Sequence, residues 1–440
     1  MKIFLILIPL FFFFSVEAQK KLLPEEKETL EQLVKKYFET SNFTLKQDIL
    51  KQTAQYDPIT ASDAQWLAQY ILQFCQSGSK LQDSGKGTLK REEILKLYEG
   101  LPIPEGASDG EEGIYYVVGG KKKQKQPLLI GLHGGGKGEG DGQSAASQWS
   151  GAAGKGCICI FPTVTNKTEV AWNSEREELY VLDLIERAKR TFLIDTNRIY
   201  VVGHSMGGFG TWSIGSIHAD HFAALSANAG GVPVKLEEGW VERGFLPNLF
   251  DTPIFYFHSV DDLQVPYDRL VLVDHLMSEL EKEFSKWKLY KHQFQSYTNI
   301  GHGFPSDWNT NRILDWVLKY KRDPYPSYVI WEPRRTYKQV FYNLYLKDPD
   351  AFYNKRTAPR IIEEIKNKSE IDLTIEQTLT HLSVLLNPKQ IDFKKPLLLK
   401  KNGKKVFEGI PEYSAWALLV SIGQNRDPEQ YFLGRIKVPD

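Results

Sequence analysis

Ser205 lies at the centre of residues 203–207, which read Gly-His-Ser-Met-Gly and match the pattern G-x-S-x-G. A strand-like run precedes the pattern, and a helix-like segment follows it. In that context the chain turns tightly between strand and helix, and the turn lifts the serine hydroxyl off the sheet. The pattern therefore predicts that Ser205 is an exposed nucleophile.

A serine hydroxyl attacks a carbonyl only when a base removes its proton, and an acid must hold that base in one tautomer. With this kind of turn, the three groups follow in the order Ser, then Asp or Glu, then His. Asp261 and Asp262 follow one strand-like run after Ser205, and His302 follows the next. The sequence therefore predicts His302 as the base and one of the two aspartates as the acid.

The negative oxygen that forms during such a reaction needs backbone N–H donors. Met206 stands at the predicted start of the helix, where N–H groups point outward. The run His133-Gly134-Gly135-Gly136 directly follows a strand-like segment, and consecutive glycines let the backbone approach a substrate oxygen without a Cβ in the way. We predict that Met206 acts together with Gly134 or Gly135 as oxyanion hole.

These groups need a sheet that carries them on one edge. From residue 109 to 322, short β-rich runs alternate with long helical patterns, which predicts an α/β domain with a mostly parallel sheet and helices on both faces. Residues 19–108 have helical spacing and no chemical motif, which indicates a helical N-terminal region.

The sequence pattern changes at residues 323–326, Asp-Pro-Tyr-Pro, which we interpret as a linker. Beyond it come short strand-like runs, a hairpin predicted at Asn402-Gly403 and one helix. We therefore predict a small, mainly β C-terminal domain over residues 323–440.

The N-terminus and the overall charge indicate where the protein works. Residues 1–18 contain one lysine, an apolar run and the small-residue signature Val16-Glu17-Ala18, which predicts a signal peptide. The apolar run is shorter than the roughly 20 residues of a spanning helix. We therefore expect a secreted or periplasmic protein without a membrane span after cleavage. The 55 basic and 55 acidic residues of the 440-residue chain balance, so charge gives no reason to expect a nucleic-acid partner.

Other residues that could do chemistry favour structural roles. Cys75, Cys157 and Cys159 are odd in number and imply no disulfide framework, and the last two are predicted to share one buried face of a strand. Residues 140–145 resemble a dinucleotide fingerprint, but they lie far past the strand and are not predicted to open a helix. We predict no cofactor.

The remaining histidines are also interpreted structurally. His204 and His258 are predicted to shape turns rather than transfer protons. His218 and His221 lie three residues apart but lack an accompanying zinc-site pattern, so they indicate a helix end and no metal site.

Taken together, the motifs resemble the branch of the α/β-hydrolase superfamily that includes polyhydroxybutyrate depolymerases, feruloyl esterases and dienelactone hydrolases. The resemblance covers about residues 113–321 and rests on the runs LHGGG, GHSMGG, HSVDDLQVP and GHGF. It implies an α/β-hydrolase fold with nucleophile, acid and base on Ser205, Asp262 and His302.

The acid is assigned through the family pattern H-G-x-x-D-x-x-V-P. The chain matches it at His258, Asp262, Val265 and Pro266, with Ser259 in place of glycine. This register implies Asp262 rather than Asp261. The C-terminal segment is similar to a β domain found after such cores in exported esterase or peptidase-like bacterial proteins.

Three functions are compatible with the sequence. The first is hydrolysis of a small-molecule or polymeric carboxylic ester through an acyl-enzyme. The second is a serine peptidase of the prolyl-oligopeptidase type, although the helical N-terminal region cannot form the β-propeller that usually restricts access in such enzymes. The third is non-catalytic binding to a polymer or surface. Trp240 and Phe245 are candidates for lining the substrate site, with packing in the core or rim as the alternative.

Overall fold

The computed structural model describes most of the chain. The described residues are 19–101, 112–120, 124–167, 171–232, 236–237, 240–241, 245–305, 311–349, 359–377 and 379–440. The predicted signal peptide at residues 1–18 and the predicted boundary between residues 108 and 109 lie outside them.

An eight-stranded sheet forms the centre of the described structure, with strand order β1-β2-β4-β3-β5-β6-β9-β10. Only β2 runs antiparallel to its neighbours, and all other pairs are parallel. The first ten strands are β1 (Gly85–Leu89), β2 (Gly113–Val118), β3 (Gln126–Leu132), β4 (Ile158–Pro162), β5 (Ile194–His204), β6 (Ala224–Asn228), β7 (Leu236–Glu237), β8 (Trp240–Val241), β9 (Ile254–Ser259) and β10 (His292–Tyr297), of which β7 and β8 form a separate ribbon.

Helices cover both faces of this sheet, as the sequence predicts. Apolar residues of α7, α8 and α9 share one buried cluster with Leu128, whereas those of α5, α6 and α10 share another with the next residue, Leu129. The helices are α1 (Pro24–Glu39), α2 (Phe43–Thr53), α3 (Ala61–Gln73), α4 (Arg91–Lys96), α5 (Gly142–Trp149), α6 (Gly151–Gly154), α7 (Glu175–Thr191), α8 (Met206–Ile217), α9 (Tyr267–Glu283), α10 (Asn311–Val317) and α11 (Ala415–Asn425). Within the described residues, none of them is long and apolar enough to cross a membrane.

The cysteines are buried apolar residues, as predicted. Cys157 and Cys159 both belong to the cluster around Leu129, and neither they nor Cys75 form a disulfide. Burial raises the pKa of the Cys75 thiol to about 12, so this group stays protonated and unreactive.

Two segments differ from the sequence prediction. Residues 140–145 do open a helix, because α5 begins at Gly142 and the Asp141 carboxylate accepts the Ser144 N–H at 2.8 Å as its cap. The N-terminal region is not helical throughout, because β1 pairs with β2 and extends the central sheet. α5 and β1 are short and rich in small residues, so neither shows a clear periodic pattern of apolar residues in the sequence.

The C-terminal region contains two further sheets among the described residues, with orders β11-β14-β15-β17-β18 and β12-β13-β16-β19. The hairpin between β17 and β18 turns at Asn402 and Gly403, whose φ values of 50° and 76° suit a type I′ turn. The strands are β11 (Tyr328–Trp331), β12 (Val340–Phe341), β13 (Leu344–Leu346), β14 (Ile361–Asn367), β15 (Glu370–Ile375), β16 (Leu382–Leu386), β17 (Leu397–Lys401), β18 (Lys404–Gly409) and β19 (Gly434–Lys437).

The N-terminal helices complete the core of this C-terminal region. Residues of α1, α2 and α3 lie in one buried apolar cluster with α11, with Val340 of β12 and with Leu385 of β16. Gly423 of α11 allows this packing, because a Cβ there would lie 2.4 Å from the ring of Tyr37 in α1. The two ends of the described chain therefore form one packed unit.

Buried ion pairs attach this unit to the central sheet and its helices. Arg335 Nη2 lies 2.5 Å from Glu178 Oε1 of α7, and Lys338 Nζ lies 2.7 Å from Asp220 Oδ1. The side chains of Glu178 and Asp220 are fully buried, so removing either cation would leave a buried charge without its partner.

Candidate active site

Ser205 occupies the turn between β5, which ends at His204, and α8, which begins at Met206. Its backbone has φ 58° and ψ −124°, a positive-φ conformation that costs energy for a residue with a side chain. The flanking glycines make the turn possible. A Cβ on Gly203 would lie 2.2 Å from the carbonyl oxygen of Gly207, and a Cβ on Gly207 would lie 2.2 Å from that of Leu132.

Three side chains from the ends of different strands meet at this turn. His302 Nε2 lies 2.6 Å from Ser205 Oγ, and His302 Nδ1 lies 2.7 Å from Asp262 Oδ2. Asp262 follows β9 and His302 follows β10. Because these strands run parallel to β5, all three side chains lie at the same edge of the sheet. The structure thus brings together the three residues predicted as nucleophile, acid and base.

Asp262 is held as a carboxylate. Its Oδ1 accepts the backbone N–H groups of Gln264 and Val265 at 2.9 and 3.0 Å. Burial raises the pKa of this carboxyl, but the hydrogen bonds from His302 and from the two amides outweigh burial and lower the pKa below its ordinary value. The ionised acceptor requires a proton on His302 Nδ1, which leaves Nε2 free to accept the Ser205 proton.

The neighbouring Asp261 accepts hydrogen bonds from other groups and does not contact His302 through a side-chain hydrogen bond in the described structure. Its Oδ1 accepts the hydroxyl of Ser259, and its Oδ2 accepts the backbone N–H of Gly301 at 3.2 Å. The Ser259 hydrogen bond lowers the pKa of this exposed carboxyl. Asp261 therefore holds the loop that carries His302. Ser259, the departure from the family pattern, supplies one of the two donors.

His204 and His258 support the loops, as the sequence predicts. His258 Nε2 donates to the carbonyl of Val265 at 2.9 Å and lies 3.2 Å from Asp262 Oδ2, and burial lowers its pKa. His204 stacks on Phe304, with ring centroids 4.5 Å apart, and burial lowers its pKa to about 3. His204 is therefore neutral at physiological pH.

The predicted oxyanion donors border the same turn. Met206 is the first residue of α8, where helix N–H groups have no acceptor within the helix. Gly134 lies against the turn, since a Cβ on it would stand 3.2 Å from Ser205 Cβ. Gly135 has φ +115° and lines the cavity in front of Ser205.

His133 fixes the glycine loop in place. Its Nε2 accepts the Val164 N–H at 3.2 Å, and its Nδ1 donates to the Gly134 carbonyl at 2.8 Å. The His133 carbonyl accepts the indole N–H of Trp172 at 3.0 Å. The loop that carries the predicted second donor is thus held from both sides before any substrate binds.

An open cavity of about 270 Å³ lies in front of the nucleophile. Its described lining consists of Gly135, Ser205, Met206, Phe209, Gln264, Val265, Pro266 and Arg269. Of the two aromatic candidates from the sequence, the side chain of Trp240 lies outside the described part. Phe245 instead packs beneath Arg335, whose guanidinium carbon is 5.5 Å from the ring centroid.

The described part of the chain contains no group of three or more His, Cys, Asp and Glu side chains that could hold a metal ion. His218 follows the last residue of α8, and His221 ends the short turn of 3-10 helix after it.

A larger cavity, of about 580 Å³, lies between α2 and strands of the C-terminal region. Its lining includes His381 and Ser383, but no side-chain hydrogen bond joins these two residues in the described structure. The smaller cavity at Ser205 is therefore the candidate active site, because the nucleophile that lines it is hydrogen-bonded to a base.

The strand order, the single antiparallel strand within the sheet and the serine turn after β5 define an α/β-hydrolase fold, and the predicted fold class is confirmed. No model of a protein family matches the chain.

Comparisons with known proteins find esterases. The chain is 26% identical over 153 residues to the bifunctional acetylxylan esterase/xylanase XynS20E of Neocallimastix patriciarum, a match that covers 33% of this chain and 20% of that protein. Among solved structures, a thermostable esterase is 22% identical with a TM-score of 0.39, covering 50% of this chain and 62% of that one. Est1E from Butyrivibrio proteoclasticus is 15% identical with a TM-score of 0.34, covering 47% and 92%. A putative dienelactone hydrolase from Klebsiella pneumoniae is 16% identical with a TM-score of 0.36, covering 48% and 95%.

Proposed function

We propose that the chain is an exported serine hydrolase that cleaves carboxylic esters through an acyl-enzyme on Ser205. The observation that carries the proposal is the continuous hydrogen-bonded chain from Ser205 Oγ through the His302 ring to Asp262, with distances of 2.6 and 2.7 Å. These distances are within the range for proton transfer to a general base.

In the first half of the reaction, His302 Nε2 takes the Ser205 proton while Oγ forms a bond to the ester carbonyl carbon. Asp262 stabilises the resulting imidazolium, and the N–H groups of Met206 and of Gly134 or Gly135 donate to the negative carbonyl oxygen. The carbon–oxygen bond to the alcohol then breaks, and His302 returns its proton to the departing alcohol.

In the second half, a water molecule replaces the alcohol. His302 removes a proton from the water, whose oxygen attacks the acyl carbon of the ester on Ser205. When the tetrahedral adduct collapses, the bond to Ser205 Oγ breaks, and His302 gives the proton back to the serine. The products are one alcohol and one carboxylic acid.

An ester is favoured over a peptide by the sequence similarity to a protein named an acetylxylan esterase/xylanase. That match spans 20% of the relative's length, so it supports the class of bond and not a particular substrate. The same three groups can also cleave amides, and this is why the test includes peptides.

The test compares 4-nitrophenyl acetate and butyrate with a panel of peptide 4-nitroanilides. We expect turnover of the esters, and we expect Ser205→Ala to lower kcat on the order of 10⁵-fold or more. Ser147→Ala, an exposed serine on α5, is the matched control and should behave like the wild type. A fluorophosphonate probe should label the wild type and the control but not Ser205→Ala. Preferential cleavage of peptides, or turnover by Ser205→Ala, would contradict the proposal.

Export is supported by residues 1–18 and has its own test. The mature protein recovered outside the cytoplasm should begin at Gln19 when its N-terminus is sequenced. Leu7→Asp interrupts the apolar run and should leave the uncleaved chain inside the cell. An extracytoplasmic protein that still begins at Met1 would contradict cleavage after Ala18.

A further inference from the structure

Arg269 is a residue of the candidate active site that no sequence motif assigns. It is the third residue of α9 and lines the same cavity as Ser205. Its aliphatic stem crosses Gly231, since a Cβ there would lie 3.1 Å from Arg269 Cδ and 3.5 Å from Cε1 of Phe209. The lack of a side chain at Gly231 thus gives the stem its place beside the Phe209 ring, at the wall of the cavity.

The guanidinium of Arg269 is a cation with five N–H donors. Among the residues whose side chains the structure describes, none has a carboxylate within 4.0 Å of this guanidinium. The nearby acids are engaged elsewhere. Asp262 binds His302 and two amides, Asp261 binds Ser259 and Gly301, and Asp268 Oδ1 accepts the backbone N–H of Arg269.

One helix adds to the positive potential at this wall. α8 starts at Met206, which lines the cavity, whereas the end of α9 after Pro266 is offset by the carboxylate of Asp268 in its first turn. The N-terminal end of a helix carries a partial positive charge and favours an anion. One wall of the cavity is therefore cationic, although the formal charge of the whole chain is zero.

We propose that Arg269 makes the cavity selective for esters that carry an anionic group, such as a carboxylate, close to the scissile bond. The guanidinium offers paired N–H donors that match the two oxygens of a carboxylate. The anionic group can belong to the acyl part or to the alcohol part of the ester. In either case the carbonyl carbon can lie at Ser205 while the anion reaches Arg269, because both residues line one cavity of about 270 Å³. This inference rests on the proposed ester hydrolysis.

The experiment uses two pairs of esters that differ only by an anionic or a neutral group. Sodium 4-acetoxybenzoate and 4-acetoxybenzamide place the group on the alcohol part. The mono-4-nitrophenyl ester of glutaric acid and the 4-nitrophenyl ester of glutaramic acid place it on the acyl part. The quantity measured is the ratio of kcat/KM for the anionic member to kcat/KM for the neutral member of each pair.

Arg269→Gln removes the charge, and Lys282→Gln removes one exposed charge from the other end of the same helix as a matched control. We expect the ratio in at least one pair to be roughly fivefold higher in the wild type than in Arg269→Gln, as for a partly exposed ion pair. Lys282→Gln should keep the wild-type ratio. Raising the salt to about 0.5 M should lower the ratio in the wild type but not in Arg269→Gln.

The inference and the proposed function fail in different ways. Equal ratios in the wild type and Arg269→Gln for both pairs, with the neutral esters still cleaved, would overturn the anion selectivity alone. Folded wild-type protein that cleaves none of the four esters would overturn both. The pair that responds identifies whether the anion belongs to the acyl or the alcohol part.

Discussion

Asp261 and Asp262 are neighbours in the chain, but their carboxylates hold different groups: Asp262 Oδ2 accepts from His302 Nδ1 at 2.7 Å, and Asp261 Oδ2 accepts from the backbone N–H of Gly301 at 3.2 Å. One carboxylate therefore orients the imidazole ring, and the other holds the backbone next to it. The side chain of Asp262 is fully buried, whereas that of Asp261 is exposed.

This difference predicts unequal effects of the same substitution. Asp262→Asn presents an amide N–H or a neutral oxygen to His302 and no longer fixes the productive tautomer, so we expect kcat to fall by about 10⁴. Asp261→Asn keeps an acceptor for Gly301, and we expect a loss of less than about tenfold. The measurement is the rate of 4-nitrophenyl acetate hydrolysis. A larger loss in Asp261→Asn would reverse the assignment of the acid.

The glycine loop offers a matched pair of alanine substitutions. A Cβ on Gly134 would lie 2.9 Å from the carbonyl oxygen of His204, whereas a Cβ on Gly136 would meet nothing within 4 Å. We expect Gly134→Ala to displace the loop and to lower kcat about 100-fold, with KM within about threefold of the wild type. Gly136→Ala should stay within about twofold on both constants. Equal losses in the two variants would argue against a role for Gly134 at the oxyanion.

A buried carboxyl in the C-terminal region predicts a pH dependence of stability. Glu363 is fully buried, and its Oε1 accepts the amide of Asn343 at 2.9 Å. Burial raises its pKa to about 8, against the opposing effect of that hydrogen bond. The folded state therefore retains a proton that the unfolded state releases near its ordinary pKa of 4.5, and the free energy of unfolding falls as pH rises between these values.

Glu363→Gln removes this titration and should make the fall in unfolding free energy over that pH range smaller than in the wild type. Urea unfolding at about pH 5 and at about pH 8 measures the difference. Glu364→Gln, on the adjacent and less buried side chain of β14, is the control and should retain the wild-type fall. An identical pH dependence in wild type and Glu363→Gln would show that Glu363 does not carry the effect.

The sequence predicted that Ser205, Asp262 and His302 would lie close together because each of them follows a strand of the central sheet. Ser205 comes directly after β5, and Asp262 and His302 lie in the loops that follow β9 and β10. The three residues meet at one edge because these strands run parallel in the same sheet. The sequence favoured a loop or capping role for Asp261, and its hydrogen bonds to Ser259 and Gly301 agree with that interpretation. The position of Arg269 at the cavity wall did not follow from the sequence, because it depends on which surface the folded chain places beside this charge.

The fold was predictable where the period of apolar residues is strong, as in α7 and β5. It was not predictable in β6, where Ala224, Ser226 and Ala227 give little β signal and the pairing with β5 and β9 determines the conformation. The same holds for β1 and for α5. The packing of α1, α2 and α3 against α11 also has no local signal, because it joins segments more than 300 residues apart.

That packing makes the hydrolase core an insertion within another structural unit. The helices before β1 and the helix near the end of the chain form the two halves of that unit, and the central sheet is inserted between them. During synthesis the apolar faces of α1, α2 and α3 stay exposed until α11 has been made, because α11 covers them. Excising the central sheet with its helices would therefore leave those faces covered by α11, but it would leave the buried cations of Arg335 and Lys338 without the carboxylates of Glu178 and Asp220.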